Sequence, residues 1–137
     1  MTTEARVTWA KDRRFIGQAS SGHAIVVDGS ADKLGPSPME LVLIGLVGCT
    51  AYDVISILQK KRQAVSGLEV SARAQRADEP PQVYTTIDVE YVVRGRDIRS
   101  KAVEDAIRLS KEKYCSASIM LEKTARITTS FRIEEVE

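Results

Sequence analysis

The sequence predicts an α+β fold, antiparallel sheet packed with helices, in the order βββ-α-ββ-αα-β. Three observations lead there. Short alternating runs bounded by turn residues fill the chain before Asp28 and return between Leu68 and Val93. Between them lies one apolar run, Leu41 to Tyr52, that carries no charge and follows a helix-start pattern. After Ser100 the apolar period turns helical again, before a last alternating segment ends the chain.

Each element follows from its own residues. Ala5, Val7 and Trp9 alternate with polar neighbours and predict a first strand, closed by the charged turn Lys11-Asp12-Arg13-Arg14. Phe15 to Ala19 and Ala24 to Val27 continue an antiparallel meander, with Ser20-Ser21-Gly22 between them. The segment DGSADKLGPSP, 28–38, has loop composition. Ser37, Pro38 and Glu40 then form a helix start. The serine accepts from a free N–H, the proline has no N–H to leave unsatisfied, and the glutamate reaches back to the cap. The helix is expected to run to about Arg62, where Lys60, Lys61 and Arg62 suit its negative end.

The twelve residues Leu41 to Tyr52 leave that helix no wet face, and Asp53, Ser56 and Gln59 supply a polar stripe only beyond them. Twelve is short of the roughly twenty residues that cross a bilayer, so no membrane span is expected. The reading is a long central helix buried on nearly all sides, which a small domain rarely covers alone. Leu68, Val70, Ala72 and Ala74 next alternate as a strand, Asp78-Glu79-Pro80-Pro81 turns the chain, and Val83 to Val93 pair back as a hairpin. Ser100 is placed to cap a second helix closing near Lys113. Tyr114 to Ser118 enter a short third helix, and Ala125 to Ile133 read as the last strand.

Length and composition bound the function. At 137 residues, with 43% apolar and 28% charged residues and no linker or repeat, the chain reads as a single globular domain over 1–137. A net charge of +1 with scattered Lys and Arg argues against a nucleic-acid partner. The segment MTTEARVTWAKDRR has no apolar core of a leader, so a cytoplasmic protein is expected. In that compartment two cysteines are no structural disulfide framework. With one histidine, His23, they fall short of a zinc site, and no metal or other cofactor is expected.

Cys49, at the centre of the apolar helix, and Cys115, where the third helix begins, are the candidates for chemistry. A buried cysteine is most often a small hydrophobe, whereas two cysteines on helices can also serve as an attacking and a resolving thiol. Pattern alone leaves these alternatives balanced.

The run GPSPMELVLIGLVGCT, followed by AYDVISILQKKRQ, VRGRD and EKYCSASIMLEK, resembles the OsmC/Ohr superfamily of thiol-dependent peroxidases, and most closely its YhfA-like branch, over residues 4 to 135. The resemblance implies an OsmC-like fold and an intertwined homodimer with the central helices buried between subunits. It implies that Cys49 is the peroxidatic and Cys115 the resolving cysteine. The substrate would be an organic hydroperoxide or H₂O₂, the reductant an external dithiol, and the role oxidative-stress defence. Two departures accompany it. In the peroxidases a catalytic glutamate directly follows the proline that begins the helix. Here that place holds Met39, and Glu40 comes one residue later, turned by about 100°. The family's activating arginine lies near the first hairpin, where Arg13 and Arg14 are the candidates, in a charged turn. His23 reads as a surface residue, and Tyr52 and Asp53 as shaping the pocket or the dimer contact. Two functions are therefore weighed: a two-cysteine hydroperoxide reductase, and a weakly active or non-catalytic dimer that binds a small apolar or electrophilic ligand beside Cys49.

Overall fold

The computed structural model describes residues 1–137. The elements are β1 (Ala5–Lys11), β2 (Arg14–Ala19), β3 (Ala24–Asp28), α1 (Pro38–Lys60), β4 (Ala64–Arg76), β5 (Tyr84–Arg96), α2 (Ser100–Leu109), a π turn (Ser110–Tyr114), α3 (Ser116–Leu121) and β6 (Arg126–Glu135). The order is the expected one. They form two compact units, Met1–Ile44 and Gly45–Glu137, with the chain passing from one to the other inside α1.

In the first unit β1, β2 and β3 make an antiparallel meander, with Val7 opposite Gly17 and Gly17 opposite Ile25. Asp12 takes up φ 52° in the first turn, a conformation that aspartate tolerates better than most residues. The loop after β3 folds back on that strand. The Asp28 N–H donates to the Pro36 carbonyl at 2.9 Å, and a Cβ on Gly35 would lie 2.5 Å from the Val26 carbonyl oxygen, so only glycine fits there.

The second unit holds a three-stranded sheet in the order β4-β5-β6. β4 and β5 form the long antiparallel hairpin, with Val70 opposite Tyr91 and Ala74 opposite Ile87. β5 and β6 run parallel, which corrects the expectation of antiparallel sheets throughout. The cause is the connection. A helical crossover of α2, the π turn and α3 returns the chain to the end from which β5 started, and such a crossover delivers a parallel neighbour. The core is built by Ile87, Val89, Tyr91 and Val93 of β5, Val103 and Ala106 of α2, and Val54 and Leu58 of α1.

The helices hold further differences. Within one chain α1 buries only Leu46, Thr50, Val54 and Leu58, one stripe at four-residue spacing, so the expectation of burial on nearly all sides is not met by a single copy. Val42, Ile44 and Tyr52 are exposed. At 23 residues α1 is also longer than its uncharged run, and by length and composition it would be able to cross a membrane. Its far end closes by a Schellman arrangement. Arg62 is left-handed at φ 59°, Gln63 N–H donates to the Leu58 carbonyl, and Arg62 N–H donates to that of Gln59. Ser100 does not cap α2: it is the first helical residue, Arg99 holds the cap position, and no side chain bonds there. The helix also ends sooner than Lys113, because the backbone widens into the π turn at Ser110.

Candidate active site

Both cysteines are free thiols in the second unit, near enough for Cys49 to act on the Cys115 thiol. Cys49 sits on α1 and is half-buried. Cys115 follows the π turn, caps α3 and is fully buried. Its N–H donates to the Ser110 carbonyl at 2.7 Å, the wide i to i+5 closure of that turn. Ser118 closes the other side, donating its N–H to the Cys115 Sγ at 3.4 Å and its hydroxyl to the Cys115 carbonyl at 3.1 Å.

The electrostatics of Cys115 favour its protonated form. Burial pushes the Cys115 thiol above its ordinary value, the bonds from Ser118 work the other way, and the Cys49 sulfur adds to the rise by a hydrogen bond and by charge. Cys115 thereby keeps its proton beside Cys49. The neighbouring Tyr91 is held up in the same way. Burial is the largest cause, the bond with Thr50 opposes it, and the charges of Cys115 and Asp53 add to it, so the phenol keeps its proton.

A line of buried hydroxyls lies next to the thiols. Tyr91 Oη is 2.7 Å from Thr50 Oγ1, Thr50 Oγ1 is 2.8 Å from Ser110 Oγ, and the Ser110 hydroxyl donates to Asp53 Oδ2 at 2.9 Å. Thr50 and Asp53 belong to α1, Tyr91 to β5, and Ser110 to the π turn. The cavity touching Thr50, Tyr91, Lys111 and Ser118 measures about 10 Å³, at the threshold for one water, so substrate has no room there.

The remaining candidates belong to the first unit. Glu40 is the capping-box partner: Ser37 N–H donates to Glu40 Oε1 at 2.9 Å, and Glu40 N–H donates to Ser37 Oγ at 3.2 Å. The backbone and side-chain bonds with Ser37 hold its carboxyl below the usual range, helped by Lys33 at 3.7 Å. Arg14 is held inside the first unit. Its Nε donates to Asp28 Oδ2 at 2.9 Å, and its Nη2 lies 2.7 Å from Asp32 Oδ1. Arg13 and His23 are exposed, and the Arg13 carbonyl accepts from Gly29 N–H at 3.1 Å. Sequence reasoning passed over Thr50, Tyr91, Ser110 and Ser118. The signal was present for two of them: Thr50 is a hydroxyl in an otherwise apolar helix run, and Tyr91 is on the inward side of β5.

Comparison with known proteins bears on the family and the fold. Residues 29–130 match the family model for OsmC-like proteins. Protein YhfA of Escherichia coli strain K12 is 46% identical over 130 residues, covering 95% of this chain and 97% of that protein. A crystal structure of a hypothetical protein from Aquifex aeolicus VF5 is similar at a TM-score of 0.91 and 30% identity, covering 100% of this chain and 99% of that one. An organic hydroperoxide resistance protein from Elizabethkingia anophelis has a TM-score of 0.73 at 14% identity, over 98% and 97% of the two chains, which speaks for the fold alone. With a matching family model and a relative so similar along nearly its whole length, the chain belongs to the OsmC-like protein family.

Proposed function

We propose that the protein is a thiol peroxidase in which Cys49 reacts with a hydroperoxide and Cys115 resolves the product. What carries the reading is the pairing of a half-buried thiol with a fully buried one whose proton the first helps to hold. A peroxide meets Cys49 first, because Cys115 has no exposed surface. The Cys49 thiolate attacks the distal oxygen of ROOH and gives up two electrons. The O–O bond breaks, and the leaving alkoxide takes a proton and departs as alcohol, leaving a sulfenic acid. The Cys115 sulfur, losing its proton, then attacks the Cys49 sulfur and the hydroxyl leaves as water. An external dithiol returns two electrons and two protons by exchange. The cytoplasm, which keeps thiols reduced, is the setting this reading requires. Hydroperoxide resistance proteins share the fold and lend the substrate class.

The same proposal takes a second copy of the chain as partner. Val42, Ile44 and Tyr52 on α1 are exposed, the last at 73%. A partner copy is the cover we assign to this helix. One observation favours the weaker, ligand-binding version of the function: Glu40 bonds to Ser37 in the helix cap, and Arg14 to Asp28 and Asp32. Hydroperoxide consumption with a dithiol reductant, on the wild type and Cys49→Ser, decides between the two. Turnover that vanishes in Cys49→Ser is expected; no turnover in the wild type overturns the peroxidase reading.

A further inference from the structure

The line from Tyr91 to Asp53 has a fixed direction. A hydroxyl has one proton to donate, and the Ser110 proton goes to the Asp53 carboxylate, which only accepts. The Thr50–Ser110 bond must then be donated by Thr50, and the Thr50–Tyr91 bond by Tyr91. One carboxylate thus orders three buried hydroxyls, each of which has a partner on both sides or lends its proton to the next. Ser110 is the hub. Its hydroxyl is bonded to two residues of α1, and its carbonyl holds the N–H of Cys115. Thr50 is the residue directly after Cys49, and Asp53 is one turn on.

We propose that Ser110, held by Thr50 and Asp53, is the positioning residue that keeps Cys115 aligned on Cys49. The hydroxyl line fixes the π turn to the stretch of α1 that carries Cys49, and the short bond from the Ser110 carbonyl passes that constraint to the backbone of Cys115. A π turn is a wide, poorly self-supporting closure, so an external anchor at its first residue sets where its last residue is delivered. The proposal rests on the reading of Cys49 and Cys115 as a reacting pair. Its consequence is kinetic: the anchor gives the Cys115 thiol a high effective concentration at the Cys49 sulfur.

The test separates the two thiols without any peroxide. An aromatic nitrobenzoate disulfide reacts with Cys49 and releases one coloured thiolate. The Cys115 sulfur then loses its proton, attacks the Cys49 sulfur and expels the second thiolate, forming the Cys49–Cys115 disulfide. Cys115→Ser is expected to abolish the second release and leave the first. Ser110→Ala is expected to slow the second release about tenfold or more, with the first unchanged. Ser110→Thr, which keeps the hydroxyl, restores it, and Thr50→Val, which cuts the same line from α1, reproduces the slowing. A general loosening of the fold would change both releases together. If the wild type gives no second release, the paired-thiol reading falls and takes the proposal with it. If it does, and Ser110→Ala or Thr50→Val matches it in both phases, the positioning role alone is overturned.

Discussion

Glu40 is the residue at which this chain leaves the pattern of the peroxidases it resembles, and a pair of variants tests what it does. Ser37→Ala removes the acceptor for the Glu40 N–H, whereas Glu40→Gln keeps an acceptor for the Ser37 N–H and discards only the charge. Loss of a serine cap costs about 1 kcal/mol. About 2.1 cal/mol/K per residue over 137 residues gives an unfolding entropy of roughly 0.29 kcal/mol/K. Ser37→Ala should therefore lower Tm by about 3.5 °C. Glu40→Gln should lower it less, since its ion pair with Lys33 joins two side chains that are each 54% exposed. Neither variant should change the rate constant of Cys49 with peroxide by more than about twofold. Thermal melts and stopped-flow peroxide consumption read the two quantities. Were Glu40 orienting an activating cation instead, Glu40→Gln would slow the thiol step about ten- to a hundredfold at an unchanged Tm. That result would refute the cap reading and return Glu40 to the reacting groups.

Two further expectations concern assembly and acid. Covering the exposed face of α1 in a stable dimer should bury more than roughly 2,000 Å². Sedimentation should then show a dimer at micromolar concentration and a monomer for Ile44→Lys, whose wild-type side chain is 54% exposed within one chain; a compact wild-type monomer would defeat the assignment. Asp28 is fully buried. Burial alone would raise its carboxyl, but bonds from the Ser30 hydroxyl, the Leu34 and Ser30 N–H groups and Arg14 outweigh it and hold the group far below its ordinary 3.8. The unfolded chain binds the proton more readily, so this stabilisation is complete above 3.8 and is lost as pH falls below it. Melts followed from neutral pH to about pH 2 should show a steeper acid loss in the wild type than in Asp28→Asn, which gives up the effect at all pH values. Equal slopes would contradict the assignment.

What the sequence makes legible is what repeats along it. Alternation marked the strands, and the Ser37 to Glu40 pattern located the start of α1 to the residue, because caps and periods are local properties of the chain. The parallel run of β6 was hidden because strand direction is set by the length and path of the crossover, not by the strand's own residues. The π turn was hidden for a similar reason. Val103, Ala106 and Ile107 mark a helical stripe, but nothing in SKEKY announces that the closure at Ser110 widens by one residue. The site divided along the same line. Cys49 and Cys115 stood out as residue types, whereas Ser110 and Thr50, sixty positions apart in sequence, acquire meaning only from a bond between them.

The unequal burial of the two thiols also fixes the order of events, if the protein works as proposed. A resolving cysteine that is open to solvent competes with the first for peroxide, and two sulfenic acids lead nowhere. Here Cys115 is shielded completely, and that burial, with Cys49 beside it, favours the protonated thiol. Burial makes it a poor nucleophile towards anything in solution, and it would make it a poor one towards Cys49 as well if it were free to move. Alignment is what offsets this. An intramolecular thiol held at the right place reacts as though present at very high concentration, and a protonated neighbour needs only to lose its proton as the new bond forms. The same burial that silences Cys115 before the first step therefore demands a rigid support for the second. In this fold that support comes from hydroxyls of α1, β5 and the π turn, ordered by Asp53.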